Sequence, residues 1–245
     1  MRGSSSILSV SMALAIRLLF FGLAIFLCLP AMAQQTDINR YTVYTGFDYM
    51  ISPARNLTER GFDADFGVTV KPWMGLGADF SAIGTNVISG AGTINGTETV
   101  YAPVLLQAIA NGVPGVPPPS AVNVPFTSTS YTFAAGPQFY LRASRRITFL
   151  ARPGLGGIHE SANLTFPVGL PQLLTALSLP VPAAKQSDTT WFLGLGGGVD
   201  LNVSRRVGLR FTADWVNTHL FSNLLTDSQN YVRFTIGPTF RWGHL

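Results

Sequence analysis

Charge is what this chain of 245 residues has least of: Asp, Glu, Lys and Arg together make up 11%, against about a quarter in an ordinary soluble domain. So little charge excludes a disordered polyelectrolyte and fits a soluble enzyme poorly. The sixteen basic residues include Arg2 and Arg17, and beyond residue 33 fourteen face twelve acids, a balance of +2. No basic stripe is present, so no nucleic acid is expected as a partner. Cysteine is nearly absent. The single Cys28 lies in an N-terminal leader, so the chain beyond it has no disulfide, catalytic thiol or thiolate metal site. Leu27 precedes Cys28 where a lipid-anchored protein would need a small residue. Long hydrophobic runs are missing too. The longest, Leu18–Leu29, has twelve residues, about 18 Å as a helix and short of the roughly 30 Å hydrocarbon core. With basic residues before it and Ala31-Met32-Ala33 after it, it reads as a secretory signal peptide over residues 1–33, cleaved after Ala33. Residues 34–245 are then a single exported domain. None of its stretches reaches eighteen consecutive apolar residues, which excludes a helical membrane protein.

What is present is alternation. Val207, Leu209, Phe211, Ala213 and Trp215 share one face of a strand and Gly208, Arg210, Thr212 and Asp214 the other. Val232–Trp242 splits the same way, with Arg233, Thr235, Gly237, Thr239 and Arg241 on the polar side. Trp191–Val203 and Tyr131–Leu141 repeat the split, and weaker versions run over Tyr41–Tyr49, Phe62–Val70, Leu76–Ala82 and Ile147–Leu155. These are eight strands of about ten residues, the length a tilted strand needs to cross a bilayer. Two repeats support a meander that closes on itself: Leu141-Arg-Ala-Ser-Arg-Arg-Ile147 matches Leu201-Asn-Val-Ser-Arg-Arg-Val207, and Phe133-Ala-Ala-Gly-Pro-Gln-Phe139 matches Phe234-Thr-Ile-Gly-Pro-Thr-Phe240. Tight turns at Lys71–Met74, Arg142–Arg146 and Asn202–Arg206 alternate with longer loops at Ser52–Arg60, Thr85–Ser128, Ala162–Asp188 and Thr218–Gln229. The pattern predicts an all-β fold, an eight-stranded antiparallel up-and-down transmembrane β-barrel with short periplasmic turns and long extracellular loops. Pro137, Pro153 and Pro238 fall inside strands, where bulges or kinks are expected.

Alternation alone does not separate a membrane barrel from a secreted barrel with an apolar interior. The aromatic residues do: Trp73 and Trp242 with Tyr41 fall at the short-turn end, and Trp191 and Trp215 with Tyr49 and Tyr131 at the long-loop end, as two interfacial girdles would. The apolar face then meets lipid and the polar face turns inward. By parity the polar face carries Asp48, Asp63, Asp65, Asp79, Glu160, Asp200 and Asp214 with Lys71, Arg142, Arg152, Arg210, Arg233 and Arg241. Seven acids against six bases, in a lumen just wide enough for side chains to fill it, predict an ion-paired interior rather than a one-signed pore. The central members are Asp79, Arg152, Asp200, Arg210, Asp214 and Arg233; Asp63, Lys71, Arg142 and Glu160, near strand ends, are read as solvated.

The segments Leu193-Gly-Leu-Gly-Gly-Gly-Val-Asp200, Arg210-Phe-Thr-Ala-Asp214-Trp, Gln229-Asn-Tyr-Val-Arg233-Phe, Gly237-Pro-Thr-Phe240-Arg and Gly75-Leu-Gly-Ala-Asp79-Phe resemble the small eight-stranded outer-membrane barrels of the OmpA/OmpX type, a porin-like architecture. The resemblance implies a bacterial outer-membrane location, a structural or adhesive role, no cofactor, and assembly through periplasmic chaperones and the barrel-assembly machinery. One departure is that Phe240 and Trp242 are followed by Gly243-His244-Leu245 where the family ends on an aromatic residue; the last strand is expected to end at Trp242.

Chemistry-bearing residues are few. His159 and Ser161 share a face two residues apart, with Glu160 opposite, a spacing also found in outer-membrane lipid A deacylases, but the expected flanking residues are missing. His159, His219 and His244 are scattered and make no metal site. Gly194–Gly198 is followed by neither a helix pattern nor a lysine, so it is read as lumen packing rather than a phosphate loop. Two loop segments, Pro103–Ala110 and Pro171–Pro180, are apolar stretches read as short helical turns that cap the barrel mouth. Three functions follow in order: a non-enzymatic envelope protein that contacts an extracellular surface partner through its loops, a small channel for hydrophobic or low-mass solutes, and a lipid A-modifying enzyme.

Overall fold

The computed structural model describes residues 38–52, 57–85, 92–226 and 229–245; the leader expected at 1–33 lies outside the described residues. The strands are β1 (Tyr41–Ser52), β2 (Leu57–Lys71), β3 (Met74–Gly84), β4 (Gly92–Asn95), β5 (Asn123–Arg142), β6 (Ile147–Leu164), β7 (Lys185–Asn202), β8 (Val207–Thr218) and β9 (Gln229–Trp242), with helices α1 (Ala102–Ala110) and α2 (Leu170–Ala176) in two of the long loops. All pairings are antiparallel between neighbours, β3 pairs with β5, and β9 returns to β1, so eight strands close into a barrel. The short β4 pairs with the upper part of β5, above the stretch of β5 that pairs with β3. β9 ends at Trp242, as expected.

The repeated basic turns have a local cause. The Ser144 hydroxyl accepts from the amides of Arg146 and Ile147, and the Ser204 hydroxyl accepts from those of Arg206 and Val207. A serine oxygen therefore closes both turns in place of a backbone acceptor.

The prolines do not make bulges. Pro137 and Pro153 stand directly opposite each other, flanked by the pairs Ala135↔Leu155 and Phe139↔Ala151, and the register is the same on both sides of the unpaired stretch. Outside that gap both prolines stay in their ladders, as Leu76↔Pro137 and Pro153↔Leu195. Pro238 likewise pairs with Leu209 in β8, and the β1–β9 ladder skips from Thr239 to Ile236 without a shift. A proline lacks one donor, and that donor points to one neighbour only, so one ladder opens and the other continues. A register shift occurs instead between Thr69 and Lys71, at the end of β2.

Several strands exceed the expected ten residues: β5 has 20 and β6 and β7 have 18 each. All the extra length is at the long-loop end. There the outward positions are Thr127, Thr129, Ser161, Asn163, Ser187 and Thr189; a wall beyond the membrane faces water on its outside, so the apolar alternation fades although the ladder continues. Below that level the outward face is apolar and open, with Phe62, Phe80, Phe133, Leu155, Leu195 and Phe234 among the exposed large side chains. The inward face holds the packed interior. Its upper part is a cluster of Met50, Leu57, Ile83, Phe126, Ile158, Phe192, Val216 and Tyr231; its lower part is charged.

Candidate functional site in the barrel lumen

All eight barrel strands send polar side chains into the lower lumen. Nearest the short turns, Arg210 grips Asp200 with two hydrogen bonds, Nε to Oδ1 at 2.7 Å and Nη2 to Oδ2 at 3.0 Å, and Nη1 reaches Asp65 at 3.3 Å. Arg241 donates to the same Asp200 at 2.8 Å and to Asn202 at 2.5 Å. Gln138 donates to Asp65 at 2.7 Å and accepts from the Tyr140 hydroxyl at 2.5 Å, while the Arg210 guanidinium lies 5.6 Å from the Tyr44 ring centre. One layer higher, Arg152 donates to both oxygens of Asp214, to Thr212 at 3.2 Å and to Asp79 at 3.3 Å. Arg233 donates to Asp79 at 3.0 Å and reaches Asp214 at 3.5 Å. Charge-assisted bonds of this kind are the strong ones.

The sheet register explains who meets whom. Asp200↔Arg210 and Asp214↔Arg233 are cross-strand neighbours with opposite charges. Asp65↔Asp79 are also neighbours, with like charges, which is unfavourable unless cations arrive from elsewhere. They do: Arg210 reaches Asp65 and Arg152 reaches Asp79 from the far wall. Glycine makes room for these bonds. A Cβ on Gly196 would stand 1.5 Å from Asp214 Oδ1, and one on Gly77 would stand 2.0 Å from Gln138 Nε2. The glycine-rich stretch of β7 is thus the surface across which Asp214 lies.

The six central charges read from the sequence, Asp79, Arg152, Asp200, Arg210, Asp214 and Arg233, come together in this network. Asp48 and Asp63 border it 3.8 Å from Arg233 and 3.9 Å from Arg152, with no hydrogen bond to their carboxylate oxygens among the described residues. Two of the four end charges differ from expectation. Lys71 is exposed over Trp73, and Arg142 lies beside the Tyr140 ring at the lower rim. Asp63 and Glu160, read as solvated, are 1% and 0% exposed, because the wall continues past them on the upper side. Glu59, which accepts from the Ser128 hydroxyl, escaped the sequence reading because its strand was begun at Phe62 rather than Leu57. Gln138 and Tyr44 sit on the same inward parity and join the network as uncharged members. Among the described residues the network holds six aspartates against four arginines.

The gap between β5 and β6 borders a cavity of about 50 Å³ whose wall joins Pro137 and Pro153 to Asp79, Arg152 and Asp214. Above the charged layers lies the apolar cluster, and above that the loops. Leu105 of α1 and Leu174 of α2 turn inward on a shared apolar cavity of about 60 Å³. The Tyr101 hydroxyl donates to the Pro180 carbonyl at 3.2 Å and ties the two loops together, and burial pushes the Tyr101 phenol up from its ordinary value.

The aromatic residues take up two levels. Tyr41 stacks on Trp242 at 5.9 Å and on Phe66 at 6.5 Å, and Trp73 stacks on Phe139 at 6.3 Å, all near the short turns. Tyr49, Tyr131, Trp191 and Trp215 are on the outward parity of the upper half, Trp191 beside His219 at 5.8 Å. His159 also faces outward. Its Nδ1 lies 2.7 Å from the Thr189 hydroxyl and its Nε2 3.4 Å from the Ser187 hydroxyl, while Glu160 points into the lumen. Ser161 is on the same outward face, and among the described residues the hydrogen-bond partners of the imidazole are the two hydroxyls. Among the described residues no group of three His, Cys, Asp or Glu is arranged to hold a metal ion.

The family model described as the outer membrane protein beta-barrel domain matches residues 19–240. Among solved structures, the attachment invasion locus protein Ail of Yersinia pestis is 13% identical over 83% of this chain and 99% of Ail, with a TM-score of 0.47. Neisserial surface protein A is 9% identical over 84% of this chain and 99% of its own, with a TM-score of 0.44. The outer membrane protein OprG of Pseudomonas aeruginosa is 8% identical over 85% and 98%, with a TM-score of 0.44. No curated protein matches.

Proposed function

We propose that this chain, which belongs to the outer membrane protein beta-barrel family and resides in the bacterial outer membrane, is a non-enzymatic envelope protein whose lumen is plugged by ion pairs and whose long loops meet a partner at the cell surface. One observation carries the reading: Arg152, Arg210 and Arg233 span the lumen to carboxylates on β2, β3, β7 and β8, so a solute path would have to break several buried charge-assisted bonds at once. The exported domain begins after the leader expected at 1–33, and periplasmic chaperones and the barrel-assembly machinery receive it. Tyr41, Trp73 and Trp242 form the inner aromatic girdle, and Tyr49, Tyr131, Trp191 and Trp215 the outer one.

Planar-bilayer recording tests the plug. The purified barrel is expected to give no steady single-channel steps, and regular steps would favour the channel reading. The enzymatic alternative has a separate test. Among the described residues the hydrogen-bond partners of His159 are hydroxyls, so His159→Ala is expected to leave the acylation pattern of lipid A unchanged in cells expressing the protein, and any change would restore that alternative.

A further inference from the structure

The loop cavity carries an inference that deepens the loop-contact reading and rests on it. Leu105, Val122, Leu164, Leu170, Leu174 and Leu225 surround a space of about 60 Å³ to which no polar atom of the wall is exposed. A second lobe of about 20 Å³ shares Ile94, Leu164, Leu224 and Leu225 with the first and runs inward to Phe126 and Ala162, with Glu160 and Gln186 also in its wall but no polar atom of theirs open to it. Water in such a space would find no hydrogen-bond partners, and apolar cavities of this kind stay dry or take up apolar guests. Two lobes in line fit an elongated guest better than a compact one. The surroundings are equally specific, since residues 99–141 and 161–184 contain no Asp, Glu, Lys or Arg. The one charge nearby on these loops is Glu98, in the turn before α1. Leu106, Val113, Val168 and Val181 remain exposed on the same two loops, so the cap presents apolar surface to an approaching guest as well as an apolar interior.

We propose that the two-lobed cavity beneath α1 and α2 is a binding site for the end of an unbranched alkyl chain, recognised by its hydrocarbon alone and with its headgroup left outside the cap. The chain is supplied by a free amphiphile such as an alkanol or fatty acid, or by an esterified membrane lipid, and the test separates the two sources. The full chain in phospholipid nanodiscs, free of detergent, is titrated with an n-alkanol series, with the matching fatty acids, and with vesicles of a phospholipid carrying a spin label near its chain terminus. Methyl resonances of Leu105, Leu174 and Leu225 report contact. The expected result is saturable binding that tightens about fourfold per added methylene and then levels off when the inner lobe is full. Alkanol and fatty acid of equal length should bind alike, because the headgroup stays outside the cap. Relaxation of the three leucines by vesicle lipid identifies the membrane as the source; relaxation only by added alkanol or acid identifies the free amphiphile. Leu174→Phe, which fills the outer lobe, should weaken binding about tenfold. Leu174→Ala, which lengthens the cavity, should move the levelling-off to a longer chain and provides the test if the Phe variant does not fold. Non-saturable partitioning, or a chain-length profile identical in wild type and the Ala variant, overturns the proposal. Conductance is recorded on the same preparation. Binding with channel steps leaves the site standing and removes the plug, whereas a silent barrel without binding removes the site alone.

Discussion

The lower and upper halves of the lumen are built on the same strands and the same parity, yet they are opposite materials. Along β8 the inward positions read Arg210, Thr212, Asp214 and then Val216; along β9 they read Arg241, Thr239, Gly237, Thr235, Arg233 and then Tyr231; along β7 three glycines follow Asp200 and Phe192 begins the apolar layer, with Asp188 at the upper end beside the Phe221 amide. The switch is sharp along β8 and β9, while β2 and β6 each carry one buried glutamate, Glu59 and Glu160, into the upper half. The lower half is held by directional bonds that work as a set, since each arginine removed strands several carboxylates. The upper half is held by contact area, which shrinks in proportion to the carbon removed. Damage should therefore be abrupt below the switch and graded above it.

The largest effect is expected below. Arg152 bonds or pairs with Asp214, Asp79, Asp63 and Asp65, so Arg152→Met leaves four buried carboxylates short of a cation and should destabilise the barrel by about 3–5 kcal/mol. Urea unfolding in lipid vesicles measures this, and a cost under about 1 kcal/mol would mean that water already solvates the layer. Above the switch, Ile83→Val removes one methyl from a fully buried position in the apolar cluster. About 1 kcal/mol is expected there, and a loss as large as that of Arg152→Met would erase the contrast between the two halves.

How much of this contrast could be read in advance follows from what the membrane enforces. Within the bilayer the outward residue must be apolar at every second position, so period two marks the inward face reliably, and Asp79, Arg152, Asp200, Arg210, Asp214 and Arg233 fell on it without ambiguity. Above the bilayer that constraint lapses. The upper thirds of β5, β6 and β7, carrying Thr127, Thr129, Ser161 and Ser187 outward, therefore read as loop, which hides the burial of Glu160 on β6, as the upper end of β2 hides that of Glu59. The apolar upper lumen was hidden for a related reason. Phe192 is an inward residue as apolar as Trp191 and Leu193 beside it, and at Phe126 and Ile158 the polarity inverts, with Thr127 and His159 outward, so alternation no longer marks the inward face there. The pairing of the two loops over one cavity depends on contacts between residues about seventy positions apart, such as Leu105 and Leu174, and no local pattern encodes those.

The smallest effect sharpens the comparison most, because it tests whether the charged layer is a balanced set or an overfilled one. Six aspartates face four arginines, and Asp63 is buried without a hydrogen bond to either carboxylate oxygen, its nearest cation contact being Arg152 at 3.9 Å. A partner at that distance repays little of the cost of removing a carboxylate from water. Asp63→Asn keeps the volume, removes one uncompensated charge and offers two donors to a region rich in acceptors. Stability should stay level or rise by up to about 1 kcal/mol, with the same urea assay as the measure. A loss approaching that of Arg152→Met would mean that Arg152 depends on Asp63 as much as on Asp214, and that the layer tolerates no missing member of either sign.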